Sequence, residues 1–183
     1  MKRELNFEMI GPFHEKKPAV SSSAFVHFTS EIYGDVSIEE QSAIFSYCVL
    51  RGDINKISIG KFVNIQELSV LHVSDEYPCV IKDWVTIGHR AVLHGTAVEK
   101  GGLIGIGAIL LDGSIIGEEA WVAAGAVVLP GTKIPPRTIA GGIPAKILRE
   151  LTSEEIQETY RKAKRYIEVL APWYQKIQKK EVC

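Results

Sequence analysis

The chain has 183 residues and carries 21 Lys+Arg against 22 Asp+Glu, a formal net charge of −1. That length suits one domain with a sizeable core and an appendage, and the balanced charge gives no electrostatic argument for nucleic acid or for an anionic membrane surface. Three widely spaced cysteines, Cys48, Cys79 and Cys183, argue against a disulfide framework or a cysteine zinc site; no apolar run reaches the length of a membrane span, so a soluble, reducing, cytoplasmic setting is expected.

No apolar run follows the charged start "MKRELNFEMIG", and residues 1–19 read as a lead-in. A six-residue beat then takes over. Val26, Ile32, Ile38, Ile44 and Leu50 keep it, with Val20 as a weaker first member. A short block follows at Ile59, Ile65 and Leu71, another at Ile81, Ile87 and Leu93, and the longest runs through Ile104, Leu110, Ile116, Val122, Val128 and Ile134. Small residues come four positions later: Ala108, Ser114, Ala120, Ala126, Thr132 and Thr138 in the last block, and Val85, Ala91 and Ala97 in the one before. Phase slips separate the blocks near residues 55–58, 73–80 and 98–103.

A period of six fits neither an amphipathic helix nor an alternating strand, and a sandwich of short strands has no reason to keep it unbroken from 104 to 138. It fits a parallel β-helix. Each hexad makes one short face, its aliphatic residue fills the core, and its small residue lets the chain turn a corner. Three hexads close a coil of roughly 18 residues, and coils stack about 4.8 Å apart. Eighteen hexads therefore predict six coils, a prism on the order of 30 Å tall.

After "GGIPAK" the pattern turns helical, with Ile156, Tyr160, Ala163, Ile167 and Leu170 on one face. Thr152 or Ser153 can cap the start, and Glu154 and Glu155 suit the positive end of the helix dipole. Pro172 is expected to end or kink this helix, leaving "WYQKIQKK" as a short second one. The expected division is a β-helix over 1–150 and a helical segment over 151–183 that packs on it, hiding apolar surface and an open strand edge.

The repeat gives each histidine an address. His14 and His27 read as exposed or structural. His72 follows core position Leu71 and His94 follows core position Leu93. The 22 residues between those leucines are one coil plus the four extra residues of the slip, so His72 and His94 should stack at one corner, their backbones about 4.8 Å apart. Two imidazoles so placed can share one metal ion, since zinc–nitrogen bonds are about 2.0–2.1 Å. His89 lies roughly one triangular face away, on the order of 15–20 Å. Within one chain it cannot complete that site, but across an interface it can. Three prisms around a threefold axis would give three identical His₃ sites, each with an open coordination position.

"VLRGDINKISIGKFVNIQELSVLHV", "VTIGHRAVLHGTAV", "IGIGAILLDGSIIG" and "GGIPAKILRELT" together resemble the gamma-class carbonic anhydrases over residues 20–170. The beat and "GGIPAK" are shared with hexapeptide acyltransferases; the His-x16-His-x4-His set with "RGD" and "NIQ" upstream is far more specific. The resemblance implies a left-handed β-helix, a homotrimer, and a metal at subunit interfaces, Zn²⁺ or alternatively Fe²⁺ or Co²⁺. It implies that His72, His89 and His94 are the metal ligands. Arg51 and Asp53 would belong to a buried ion-pair network between subunits, Gln66 would hydrogen-bond the metal-bound hydroxide, and Asn64 would line the pocket. Tyr166 matches a helix tyrosine that can approach the site, although core packing is its simpler reading.

The implied activity is reversible hydration of CO₂ to bicarbonate. Three departures qualify it. Ile54 stands where the archetypal enzyme has a catalytic glutamate. The loop "VSDEYPCV" after His72 is shorter than the acidic loop that carries a proton-shuttling glutamate there, leaving Asp75 or Glu76 as substitutes. "NIQEL" replaces "NIQDG", which gives the aspartate's task to Glu67. The alternatives are acyl transfer or thioester hydrolysis on coenzyme A substrates, for which no basic cluster reads as a phosphate site, and a metal-stabilised scaffold without strong activity.

Overall fold

The computed structural model describes residues 9–181; the start of the lead-in, residues 1–8, and Cys183 lie outside the described residues. The chain winds as a left-handed parallel β-solenoid of about 7 turns with a helical C-terminal segment. Its first face is a ladder of two-residue strands, Phe25–Val26, Ala43–Ile44, Asn64–Ile65, Thr86–Ile87, Leu103–Ile104 and Trp121–Val122, followed by Thr138–Gly141 and closed by antiparallel Lys146–Glu150. The second face stacks Ile10–Gly11, the first halves of Glu31–Ile38 and Val49–Ile59, then Val70–His72, Val92–His94, Ile109–Leu110 and Val127–Val128. The third face carries Ala19–Val20, the second halves of the same two long strands, Cys79–Ile81, Ala97–Val98, Ile115–Ile116 and Lys133–Ile134.

Every aliphatic residue of the beat from Ile32 to Ile134 that pairs in these ladders points inward, and Ile44, Leu50, Ile65, Leu71, Ile87 and Leu93 are fully buried. Many corners turn through one left-handed residue, glycine at Gly107 (φ 68°) but also Leu68 and Arg90. Such a conformation costs an L-residue about 1–2 kcal/mol, which the ladder on either side must offset.

Two features depart from the hexad reading. There are about seven turns rather than six, because Ile10–Gly11 pairs with Ile32–Tyr33 through backbone hydrogen bonds that need no hexad signature. The last slip falls at His94–Gly95 rather than at 98–103. Val98 occupies the core and pairs with Ile81 and Ile116; Thr96 is the buried corner residue, and Ala97 faces outward beside Val80. Gly95, with φ 52°, closes this corner with one residue fewer.

The helical segment covers the first face. Helix α1 (Ser153–Arg165) is capped by Thr152, which accepts from the Glu155 N–H while Glu155 accepts from the Thr152 N–H, a complete capping box. Both Glu155 oxygens also take Arg149, at 2.8 Å each. Pro172 does not end the helix. A π-helical turn over Tyr166–Leu170, in which the Ala171 N–H reaches the Tyr166 carbonyl, leads into helix α2 (Ala171–Glu181). The widened turn makes room for a residue that lacks an N–H and whose ring crowds the carbonyl four positions back. Tyr166 and Tyr174 then pack on Phe45, and Tyr160 on Trp84.

The Arg149 fork, and after it the Thr152 N–H, hold the Glu155 carboxyl down at about 2. A depressed carboxyl contributes its stabilisation above the ordinary value of 4.5 and loses it as pH falls towards about 2. An NMR titration should place the Glu155 midpoint near 2, and in Arg149→Ala it should return towards 4.5.

Candidate functional site

The residues singled out in the sequence fall into two groups, at the two edges of the second face. At the edge shared with the third face, His94 pairs with His72 in the parallel ladder and His72 with Arg51. The ring centroids of His72 and His94 are 4.9 Å apart, and His72 Nδ1 lies 2.9 Å from His94 Nε2. Each ring is gripped at its other nitrogen by a carboxylate. His72 Nε2 is 3.0 Å from Asp53 Oδ1, and His94 Nδ1 is 2.5 Å from Asp112 Oδ1. Asp53, His72, His94 and Asp112 thus form one continuous hydrogen-bonded column along the corner. Arg51 pairs with the second oxygen of Asp53 within the same chain, its own side chain half exposed. Partial burial pushes the Asp53 carboxyl up, but the His72 contact, the Ile54 N–H and the Arg51 charge outweigh it and leave the carboxyl below its ordinary range.

At the opposite edge, Asn64 and Gln66 are buried, and Glu67 sits one rung below His89. The Gln66 amide is oriented by a relay. Its Nε2 donates to Asn64 Oδ1 at 3.2 Å, and Asn64 Nδ2 donates to Thr86 Oγ1 at 2.8 Å. Gln66 also borders a cavity of about 170 Å³, which it shares with Thr86, Gly88, Ile104, Lys162 and Tyr166. Burial, and after it the Glu67 charge, push the Tyr166 phenol up. Tyr166 therefore both packs on Phe45 and borders this cavity. His89 Nδ1 is 2.7 Å from Glu67 Oε2, yet that buried oxygen receives no hydrogen bond among the described residues, so the two groups lie close without hydrogen-bond alignment.

No group of three His, Cys, Asp or Glu side chains able to hold a metal occurs among the described residues of one chain, as the placement of His89 on the other edge requires. The donors that are present suit a divalent metal. Two nitrogens bound tetrahedrally at about 2.0–2.1 Å lie roughly 3.3 Å apart, so His72 Nδ1 and His94 Nε2 need only open slightly from 2.9 Å. Both are the nitrogens their carboxylates leave free, the arrangement expected of metal-ligating imidazoles. The cysteines take no part. Burial pushes the Cys48 and Cys79 thiols up to about 12.

The loop after His72 is tied down by Asn55, whose amide donates to the carbonyls of Ser74 and Asp75. The Asp75 and Glu76 residues themselves are exposed, as is Ile54. Asp112 and Thr86 were not among the residues singled out from the sequence. Asp112 stands 18 residues after His94, but the ladder sets Leu110 over Leu93, so Leu111 takes the rung above His94 and Asp112 reaches the ring from one position further on.

Comparison with known proteins adds three findings. A curated relative named gamma carbonic anhydrase 2, mitochondrial, from Arabidopsis thaliana is 44% identical over 159 residues, 84% of this chain and 57% of the relative; the chain thus spans little more than half of that protein. A carbonic anhydrase of Geobacillus kaustophilus is 45% identical over 160 residues, covering 87% of this chain and 88% of that one. A solved structure from Bacillus cereus, provisionally assigned as an acetyltransferase, superposes with a TM-score of 0.89 at 44% identity, covering 91% and 96% of the two chains. No model of a known protein family matches. With a parallel hexapeptide solenoid, stacked histidines of free facing nitrogens, and relatives at this identity over nearly the whole chain, the protein belongs to the gamma carbonic anhydrase family.

Proposed function

We propose that the chain is a metal-dependent enzyme of reversible CO₂ hydration, a homotrimer whose metal sites form between subunits from His72 and His94 of one chain and His89 of the next. One observation carries this reading: the second face has a half-site on each edge and an apolar surface between them. Val49, Val70, Val92, Ile109 and Val127 pair rung to rung along that face and point outward. A sheet face of stacked valines and isoleucine open to water is what a buried interface looks like before assembly. Three such faces around one axis bring the His72–His94 edge of each chain to the His89 edge of its neighbour.

Zinc, or Fe²⁺ or Co²⁺, bound there would lower the pKa of a water molecule to about 7 and so supply a nucleophile at neutral pH. The residues of the chain do the rest. Asp53 holds the His72 ring through Nε2. Gln66, fixed through Asn64 and Thr86, offers a carbonyl and a spare N–H to oxygens of substrate and product. Arg51 neutralises part of the carboxylate charge beside His72. Hydration also releases a proton, and Ile54 provides no group to carry it; the exposed Asp75 and Glu76 are left for that step. Free, buried Cys48 and Cys79 suit a reducing compartment such as the cytoplasm, and no helix among the described residues is long and apolar enough to cross a membrane.

Zinc-loaded protein should hydrate CO₂, and His94→Ala should fall to the rate of the metal-free protein; equal activity in both would sink the assignment. Raising the concentration of an imidazole buffer should increase the turnover number, because proton release limits it, and a buffer-independent rate would show that Asp75 or Glu76 suffices. Val70→Asp, which leaves every histidine in place, should convert the trimer to monomer by light scattering and weaken zinc binding with it. The likeness to a provisional acetyltransferase keeps a second reading in view, acyl transfer on coenzyme A substrates. Tight coenzyme A binding that survives metal removal would favour it, and full metal occupancy without hydration or esterase activity would point to a scaffold.

A further inference from the structure

We infer that Asp112 is the positioning residue of His94: from the next coil it fixes the imidazole through Nδ1, so that Nε2 is the atom presented to a metal. The inference rests on the metal-site reading above and names a residue that reading does not require.

The geometry is specific. Asp112 Oδ1 lies 2.5 Å from His94 Nδ1, within hydrogen-bond reach. It gets there because the corner after His94 is one residue short. Gly95 turns that corner alone, and a Cβ on Gly95 would come within 2.5 Å of Asp112 Oδ1 and 2.9 Å of the Tyr77 Cβ. The space that a side chain would fill therefore houses the carboxylate. The backbone holds the two coils together at this point, with the Gly95 N–H on the His72 carbonyl at 3.0 Å and the Gly113 N–H on the Gly95 carbonyl at 2.7 Å. Tyr77 closes the outer side, its ring 3.0–3.1 Å from where a Cβ on Gly113 would be.

Asp53 grips His72 from the coil below through Nε2, and Asp112 grips His94 from the coil above through Nδ1. The rings are clamped from outside the pair, so their unclamped nitrogens face each other. Without Asp112, the His94 ring is free to rotate and to donate the wrong edge. A carboxylate in this role also raises ligand basicity, and removing such a partner typically costs about 10–100-fold in metal affinity.

The test is zinc affinity, measured by competition with a chelator, on the parent, Asp112→Asn and Asp112→Ala. Asparagine keeps an acceptor oxygen and loses the charge; alanine loses both. Affinity should fall about tenfold in Asp112→Asn and towards a hundredfold in Asp112→Ala, while Glu118→Gln, at an exposed carboxylate that touches neither histidine, leaves it unchanged. The cobalt-substituted variants should show an altered visible absorption spectrum, which loss of stability alone does not produce. Should Asp112→Ala prove unstable when metal-free, the near-isosteric Asp112→Asn decides. Parent-like affinity and spectrum in the variants would overturn the role of Asp112 alone. A parent that takes up no zinc, or a His94→Ala variant that binds as tightly as the parent, would overturn the metal site and this role together.

Discussion

Each coil of this molecule lies directly over the last, with the backbone of one rung hydrogen-bonded to the next, and almost everything else depends on that constraint. A solenoid of this kind turns sequence distance into height. Residues about one coil apart become neighbours at about 4.8 Å whatever lies between them. The rule stacks Leu71 under Leu93 in the core, Val70 under Val92 on the surface, and His72 under His94 at the corner. Core, outer surface and histidine pair are three readings of one register. Shifting it by a single residue would exchange inward and outward side chains along a whole face.

The second face shows how far this economy goes. Its inner residues are aliphatic because they fill the prism, and its outer residues are aliphatic too, which a solvated face does not need. Its two edges carry different chemistry: on one, two imidazoles held by carboxylates; on the other, an amide relay ending at Gln66, with His89 and Glu67 beside it. The edges cannot meet within one chain, because the face between them is rigid. The orphaned Glu67 oxygen lies on the second of these edges.

Much of this was legible in the sequence because solenoid cores are periodic and position in the period is position in space. The aliphatic beat located the core, and the 22-residue offset, read as a coil plus an insertion, placed the stacked histidines. What escaped notice has local causes. The one-residue deletion at His94–Gly95 leaves a sequence in which Ala97 still looks like a small corner residue, although Thr96 takes that place. The coil at Ile10–Gly11 is held by backbone hydrogen bonds, including that from the Ile32 N–H to the Met9 carbonyl, and no side-chain pattern marks it. Pro172 reads as an end or a kink, and the π-helical turn upstream that lets the helix continue has no compositional signature. Asp112 was overlooked because a lone aspartate in "LLDGS" reads as a turn residue until the coil above His94 is drawn.

Among the described residues, the coils differ in length at the corner between the second and third faces. Asp53–Lys56 and the loop at 73–78 bulge outward at the corner between the second and third faces while the strands on either side stay paired. The same corner contracts at Gly95. Evolution can therefore lengthen or trim this ridge without disturbing the core, and each such edit changes what surrounds the histidines. A residue inserted after His94 would restore the regular hexad and take the space of the Asp112 carboxylate. Variation in length at this one ridge changes the surroundings of the histidines while the scaffold beneath stays fixed.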